Sequence, residues 1–164
     1  MKRLKDLYKK IFSNNDPFNN VFNNYIEKKI LIFPTEGYYL SKDQYDNLIK
    51  VLDFFLEKEI FISEIENGEE SFENTVEYCF NHNRIELKTS YEEYLNSTKA
   101  KWRIMISYEN HALLGGSSKF IQKFLENYNY LEDKEKFLRY WHYNKQNYNS
   151  DLNWQKEFFK YYDV

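Results

Sequence analysis

The sequence predicts an α+β fold: a single domain over residues 1–164, with a mixed, mostly antiparallel sheet of four or five strands covered by helices. Three observations support this class. The length of 164 residues matches one domain, and 42% hydrophobic residues suffice for a sizeable core. Glycine numbers only four and proline two, so regular elements should dominate. Apolar residues recur at helical spacing in some stretches and alternate in others, and no internal repeat or composition break marks a second domain.

Two helices are predicted at the N-terminus. Apolar residues recur at helical spacing over residues 4–12, and the other face of this first helix carries Lys2, Arg3, Lys5, Lys9 and Lys10. Asp16 can cap a second helix with Pro17 in its first turn, and apolar residues over 18–26 then line one side. The chain should therefore begin with a helical segment.

A hairpin and a helix are predicted next. Ile30–Phe33 and Tyr38–Leu40 are short apolar runs, and the four residues between them contain proline and glycine, which favours a turn between antiparallel strands. Ser41 and Gln44 have the spacing of a capping box, and a helical apolar stripe follows over residues 45–56.

The middle of the chain predicts one strand, one turn and one helix. Ile60–Glu66 has the composition of a strand, and Asn67-Gly68 is typical of a turn. The apolar residues that follow are spaced as one face of a helix, namely Phe72, Val76, Cys79 and Phe80.

Two further strands are predicted on either side of a short helix. Apolar residues alternate in Arg84–Lys88 and in Lys101–Tyr108, which predicts half-buried strands. Between them, Ser90 and Glu93 can cap a short helix over residues 91–95.

The last third of the sequence predicts helices. Gly115-Gly116 predicts a turn, after which Ser117 or Ser118 can cap a helix with an apolar face over residues 120–128. Apolar residues over 137–141 begin another helix, and aromatic residues over 154–162 indicate a last short one.

An acidic stretch is the most informative feature for function. Between Glu57 and Glu77 the chain holds eight carboxylates and one cation, Lys58, although the net charge of the protein is only −3. A negative surface attracts and steers a basic partner, whereas the alternative is a solvated face that only maintains solubility. The residues predicted to bind a partner are Glu57, Glu59, Glu64, Glu66, Glu69, Glu70, Glu73 and Glu77.

No motif predicts a metal or a cofactor. Cys79 and His82 are three residues apart, but a structural zinc site needs four ligands and no second pair is evident. Residues 115–119 precede a helix, where backbone N–H groups can hold an anion, yet their spacing matches neither a P-loop nor a dinucleotide fingerprint. We therefore predict no cofactor and no metal ion.

Two alternative functions stay open. The first is a small enzyme with a pocket near Glu109 and His111, in which His111 is the acid or base because its ordinary pKa lies near 6.5. The GxSxG elbow of the α/β-hydrolases is absent. The second is a nucleic-acid adaptor that uses the basic first helix, against which stands the acidic calculated pI of about 5.7.

The expected compartment is the cytoplasm. Cys79 is the single cysteine, so no intrachain disulfide can form, and Met1–Asn15 lacks the apolar core of a secretory signal peptide. No run approaches the roughly 18 apolar residues of a membrane-spanning helix.

One part of the chain resembles a known class of proteins. The segment Lys101–Glu109, followed by His111–Ser118 and a helix over Lys119–Tyr128, is similar to strand-turn-helix passages of small bacterial immunity proteins. Those proteins neutralise the toxins of contact-dependent growth inhibition and related polymorphic toxin systems. The resemblance implies a cytoplasmic domain without cofactor or turnover, which binds a co-encoded toxin, often a nuclease, and blocks its active site or a neighbouring surface.

Overall fold

The computed structural model describes Ser13 and residues 16–66, 69–79, 92–97 and 101–162. Within these residues the strands are β1 (Lys28–Ile32), β2 (Glu59–Glu66), β3 (Glu69–Cys79), β4 (Glu92–Ser97), β5 (Trp102–Ser107) and β6 (His111–Gly116). The helices are α1 (Lys42–Phe54), α2 (Ser118–Leu125), α3 (Tyr130–Tyr148) and α4 (Gln155–Phe158). The predicted α+β class is confirmed. That residues 1–164 form a single domain stays a prediction.

The strands form one sheet in the order β1-β6-β5-β4-β2-β3. Each pairing between described neighbours is antiparallel. Among the described residues the sheet has six strands, where four or five were predicted. Strands β3, β4 and β6 were not anticipated, whereas the predicted strand Tyr38–Leu40 does not form. The central part of the sheet, β5 and β6, is buried along its whole length.

Helices cover both faces of β5 and β6. Side chains alternate between the two faces along a strand, and paired residues of neighbouring strands share a face. His111 is paired with Ser107, which is five positions from Trp102 on β5, so His111 and Trp102 lie on different faces of the sheet. Trp102 stacks on Phe120 of α2, with ring centroids 5.3 Å apart. His111 packs on Phe137 of α3 at 5.4 Å. β5 was expected to be half-buried, and the helical layer on its second face is the reason that it is not.

Strand β6 replaces the predicted turn at Gly115-Gly116. A Cβ atom at Gly115 would lie 2.7 Å from Cε1 of Phe22, so glycine is needed here for a close approach of the Phe22 ring to the sheet. The sequence predicts a turn at Gly115, whereas in the structure this glycine lies within a strand and leaves room for the Phe22 ring. Ser117 then caps α2, as predicted, by accepting from the backbone N–H of Phe120 at 3.3 Å.

The predicted second helix is absent, since residues 16–27 form turns and irregular structure. This segment is rich in Asn and Asp, whose side chains accept hydrogen bonds from nearby backbone N–H groups. Asp16 accepts from the N–H of Phe18 at 2.9 Å, and Asn19 accepts from the N–H of Asn20 at 2.7 Å. Such bonds compete with helix formation. The predicted first helix, over residues 2–12, lies outside the described residues.

The predicted hairpin around residues 34–37 is also wrong in its pairing. β1 pairs with β6, and Tyr39 makes only an isolated bridge to Glu36. The capping box that follows is confirmed, because Ser41 N–H donates to Gln44 Oε1 at 2.9 Å and Gln44 N–H donates to Ser41 Oγ at 3.4 Å.

Two predicted helices are strands in the structure. Residues 69–79 form β3, and residues 92–97 form β4. Phe72 and Val76 are four residues apart, a spacing that satisfies both the helical period and the period of two in a strand. Strand β2 is confirmed, whereas the predicted turn at 67–68 and the predicted strand Arg84–Lys88 lie outside the described residues.

Helix α1 ends in a strained residue. Leu56 has a φ of 52°, in the left-handed region that favours glycine, and its side chain is 78% exposed. The N–H groups of Leu56 and Glu57 donate to the carbonyls of Asp53 and Leu52, at 3.1 and 2.9 Å. This is the Schellman arrangement, with leucine at the position that glycine usually occupies.

We expect Leu56→Gly to raise the free energy of unfolding by about 0.5–1 kcal/mol, because glycine relieves the left-handed strain and little packing is lost. Urea unfolding measures the change. Glu135→Gly, at an exposed position in the interior of α3, is the control and should lower stability by about 1 kcal/mol. A loss of stability in Leu56→Gly as large as in the control would contradict the strain.

Candidate functional site

The half of the sheet formed by β2, β3 and β4 is strongly acidic. These three strands contain nine glutamates and neither lysine nor arginine. The opposite edge strand, β1, carries Lys28 and Lys29 and no carboxylate. The glutamates of the three strands are Glu59, Glu64, Glu66, Glu69, Glu70, Glu73, Glu77, Glu92 and Glu93.

The strand register collects six of these positions at one end of the sheet. Glu64 is opposite Glu93 in the β2–β4 pair, and Glu66 is opposite Glu69 in the β2–β3 pair. Ile65 has Glu70 on one side and Glu92 on the other. We call this group the acidic end; it consists of Glu64, Glu66, Glu69, Glu70, Glu92 and Glu93.

Three of the predicted residues lie elsewhere along the same strands. Glu59 is opposite Cys79, and Glu77 is opposite Phe61. Glu73 falls in the part of β3 where the pairing with β2 is irregular, between Ser71 and Val76. The acidic stretch therefore does not form one continuous row.

Glu57 is a correction to the predicted set. Glu57 is 4% exposed, and its carboxylate accepts hydrogen bonds from Ser97 Oγ at 2.5 Å and from Trp102 Nε1 at 3.0 Å. A carboxylate enclosed in this way joins the segment before β2 to the last residue of β4 and the first residue of β5. Glu57 is a structural residue and is not part of an exposed acidic face.

Glu92 and Glu93 were missed by the sequence analysis. Glu93 was assigned to a helix cap with Ser90, so neither residue was grouped with the acidic stretch. The grouping depends on the pairing of β4 with β2, which brings together residues about thirty positions apart. Apolar and polar residues do not alternate in Glu92–Ser97, so the sequence offered no strand signal that could outweigh the capping motif.

His111 is not available for catalysis in this structure. It is fully buried, and its Nε2 lies 2.9 Å from the carbonyl oxygen of Pro17. The rings of Phe18, Phe137 and Phe158 surround it at centroid distances of 5.3, 5.4 and 6.5 Å. Burial lowers the pKa of His111 below its ordinary value, because the charged form would lose its hydration. The geometry therefore opposes the predicted enzyme pocket at Glu109 and His111.

The N-terminus of α2, which was considered as an anion site, is already occupied by a side chain of the protein. Glu27 Oε2 accepts from the backbone N–H of Ser118 at 2.7 Å. This hydrogen bond lowers the pKa of Glu27. A carboxylate at a helix N-terminus is also favoured by the helix dipole, so the feature is explained within the chain.

A buried carboxylate connects α3 to β1. Asp133 Oδ2 accepts from the backbone N–H of Phe33 at 2.7 Å and also from the hydroxyl of Tyr128. Gln44 of α1 donates to that hydroxyl at 3.3 Å and to the carbonyl of Pro34 at 2.8 Å. Burial raises the pKa of Asp133. Each group has a partner within the fold, so this network is structural.

No group of three His, Cys, Asp or Glu side chains that could hold a metal ion occurs among the residues described. Of the helices in the described part of the chain, none has the length and apolar character needed to cross a membrane.

No family model matches the sequence, and neither a curated protein nor a solved structure matches it.

Proposed function

We propose that the protein is an immunity protein that binds a cognate bacterial toxin, in particular a nuclease, through the acidic end, and neutralises it. The observation that carries the proposal is the collection of six glutamate positions on three adjacent strands, with neither lysine nor arginine in those strands. By their register, Glu64, Glu66, Glu69 and Glu93 share one face of the sheet, and a face of this charge is complementary to a basic protein. Nucleases bind phosphates with clusters of cations, which makes them suitable partners.

The acidic end has an energetic property that favours a basic partner. Like charges at paired positions of neighbouring strands destabilise a sheet. Glu64 is paired with Glu93, and Glu66 is paired with Glu69. A cationic surface placed against these positions relieves the repulsion. Binding is then stabilised both by attraction to the partner and by the loss of repulsion within the sheet.

Inhibition requires no chemistry in this scheme. The carboxylates take the place of the phosphates of a nucleic acid, and the bound protein excludes the substrate from the toxin. Neutralisation of this kind would take place in the cytoplasm, without a cofactor. Long-range attraction between the charged surfaces should raise the association rate by about 10- to 1000-fold and should weaken with added salt.

The test is a complex with the product of the neighbouring upstream gene. Tagged protein is used to capture that product, and the toxicity and nuclease activity of the product are measured with and without the protein. A stable complex that silences the partner supports the proposal. Absence of binding by the folded protein, or binding without loss of toxicity, rules it out.

Charge reversal at the acidic end tests the role of the carboxylates. We expect replacement of Glu64, Glu66, Glu69 and Glu70 by lysine to lower the association rate with the partner at least about tenfold at low salt, because attraction becomes repulsion. The matched control reverses four exposed carboxylates elsewhere, namely Asp53, Glu126, Glu135 and Glu157. Stopped-flow kinetics over a range of salt concentrations compare the two variants. Equal rates in both would remove the acidic end from the interface.

A further inference from the structure

A surface cavity of about 430 Å³ lies beside the exposed side of α3, where the chain passes into the segment before α4. This volume is within the range of about 300–1,000 Å³ that is typical of sites for small molecules. The cavity shares no residue with the acidic end. It therefore constitutes a separate candidate site.

One part of the lining is apolar. Leu138 and Tyr143 come from α3, and Leu152 comes from the segment that follows it. Tyr143 is 55% exposed and Leu138 is 37% exposed, so both side chains offer surface that is not covered by the described fold. These residues provide a surface on which the hydrocarbon part of a ligand can pack.

The polar part of the lining offers hydrogen-bond donors. Arg139 has an exposed side chain, and its contact with Glu135 is long, at 3.8 Å. The Nε2 atom of Gln155 is buried and has no hydrogen-bond partner. His142 and Gln146 also line the cavity, and their Nε2 atoms form a hydrogen bond with each other at 3.0 Å. An acceptor placed in the cavity would thus meet the guanidinium of Arg139, and a rotation of the Gln155 side chain toward the cavity would bring its unpaired amide N–H to the same acceptor.

We propose that this cavity binds a small carboxylic acid with an apolar body. A carboxylate matches the planar, two-donor geometry of a guanidinium, and its second oxygen can accept from an amide N–H. Arg139 is the one lining residue with a permanent positive charge, which suits a monoanion better than a phosphate dianion. Leu138, Tyr143 and Leu152 then contact the apolar body of the ligand.

The experiment uses phenylacetate and its uncharged analogue phenylacetamide as probes, with the full-length protein labelled with ¹⁵N. For a fragment of this size we expect a dissociation constant in the millimolar range. Phenylacetate should shift the side-chain NH₂ resonances of Gln155, and phenylacetamide should bind at least about tenfold more weakly because the charge-assisted bond is lost.

Two variants assign the contacts. Arg139→Met and Gln155→Leu should each weaken phenylacetate binding by about tenfold or more. Lys145→Met is the matched control for loss of one positive charge on α3, and should leave binding unchanged because Lys145 does not line the cavity. Circular dichroism verifies the fold of each variant.

Four results would overturn the proposal, and the first three concern phenylacetate and phenylacetamide. These three are no shift at Gln155 at phenylacetate concentrations of about ten millimolar, equal binding of acid and amide, and equal affinity in Arg139→Met and Lys145→Met. Stronger binding of inorganic phosphate than of phenylacetate would also overturn it, because the site would then select charge rather than an apolar carboxylate.

Discussion

Replacing Phe137 with alanine should lower the free energy of unfolding by about 3–5 kcal/mol. Phe137 is fully buried on the inner side of α3 and stands at the centre of an aromatic cluster. Its ring lies within 6.3 Å, between centroids, of the rings of Phe33, His111, Trp141, Trp154, Phe158 and Phe159. Truncation removes these contacts and leaves a cavity that rigid neighbouring rings cannot fill.

Urea unfolding followed by tryptophan fluorescence and by circular dichroism measures the loss. The control is Leu131→Ala on the same helix, whose side chain is 66% exposed and whose replacement should change stability by less than about 0.5 kcal/mol. If the two variants lost equal stability, the cluster would not be what holds α3 and α4 against the sheet.

Replacing Glu57 with alanine should lower the free energy of unfolding by about 3 kcal/mol, because two buried donors lose their acceptor. The carboxylate is the acceptor for Ser97 Oγ and Trp102 Nε1, and a buried donor left without a partner costs about 1–3 kcal/mol. Glu57→Gln retains an oxygen that can accept from one of the two donors, and its loss should be intermediate.

The matched control for this prediction is Glu59→Ala, because Glu59 is two residues away and exposed. Chemical denaturation should show a small change in that variant. A similar small change in Glu57→Ala would contradict the buried network. Partner binding provides a second measurement, since folded Glu57→Gln should keep its affinity for the proposed toxin while the charge reversal at the acidic end should not.

Local signals explain the parts of the fold that the sequence predicted. Ser41 and Gln44 satisfy each other's backbone across a single turn, so the start of α1 can be recognised without knowledge of the rest of the chain. Strands β2 and β5 were likewise evident from their apolar content. These elements depend on residues close together in sequence.

The failures depend on contacts between distant residues. Glu57 cannot be distinguished by sequence from the glutamates around it, because its burial is caused by Ser97 and Trp102, which lie 40 and 45 positions away. Gly115 was read as a turn because the approach of the Phe22 ring, which excludes a larger residue, is a tertiary contact. Propensity alone contains neither fact.

The candidate site shows the same division. Most of the acidic end was contained in the predicted stretch, since local charge density is visible in the sequence. Glu92 and Glu93 joined it only through the pairing of β4 with β2. The cavity beside α3 had no signal, because its walls combine a helix face with a later segment and no motif connects Arg139 to Gln155.

The burial of His111 couples the stability of the aromatic core to proton concentration. Its pKa is lowered in the folded state, so above its ordinary value of about 6.5 the imidazole is neutral in both states and contributes no dependence on pH. Below that pH the imidazole is protonated in the unfolded chain and still neutral in the folded chain. The free energy of unfolding therefore falls by up to about 1.4 kcal/mol for each pH unit, until the pKa of the folded state is reached. His111, the acid or base of the alternative enzyme function, thus makes the core acid-labile.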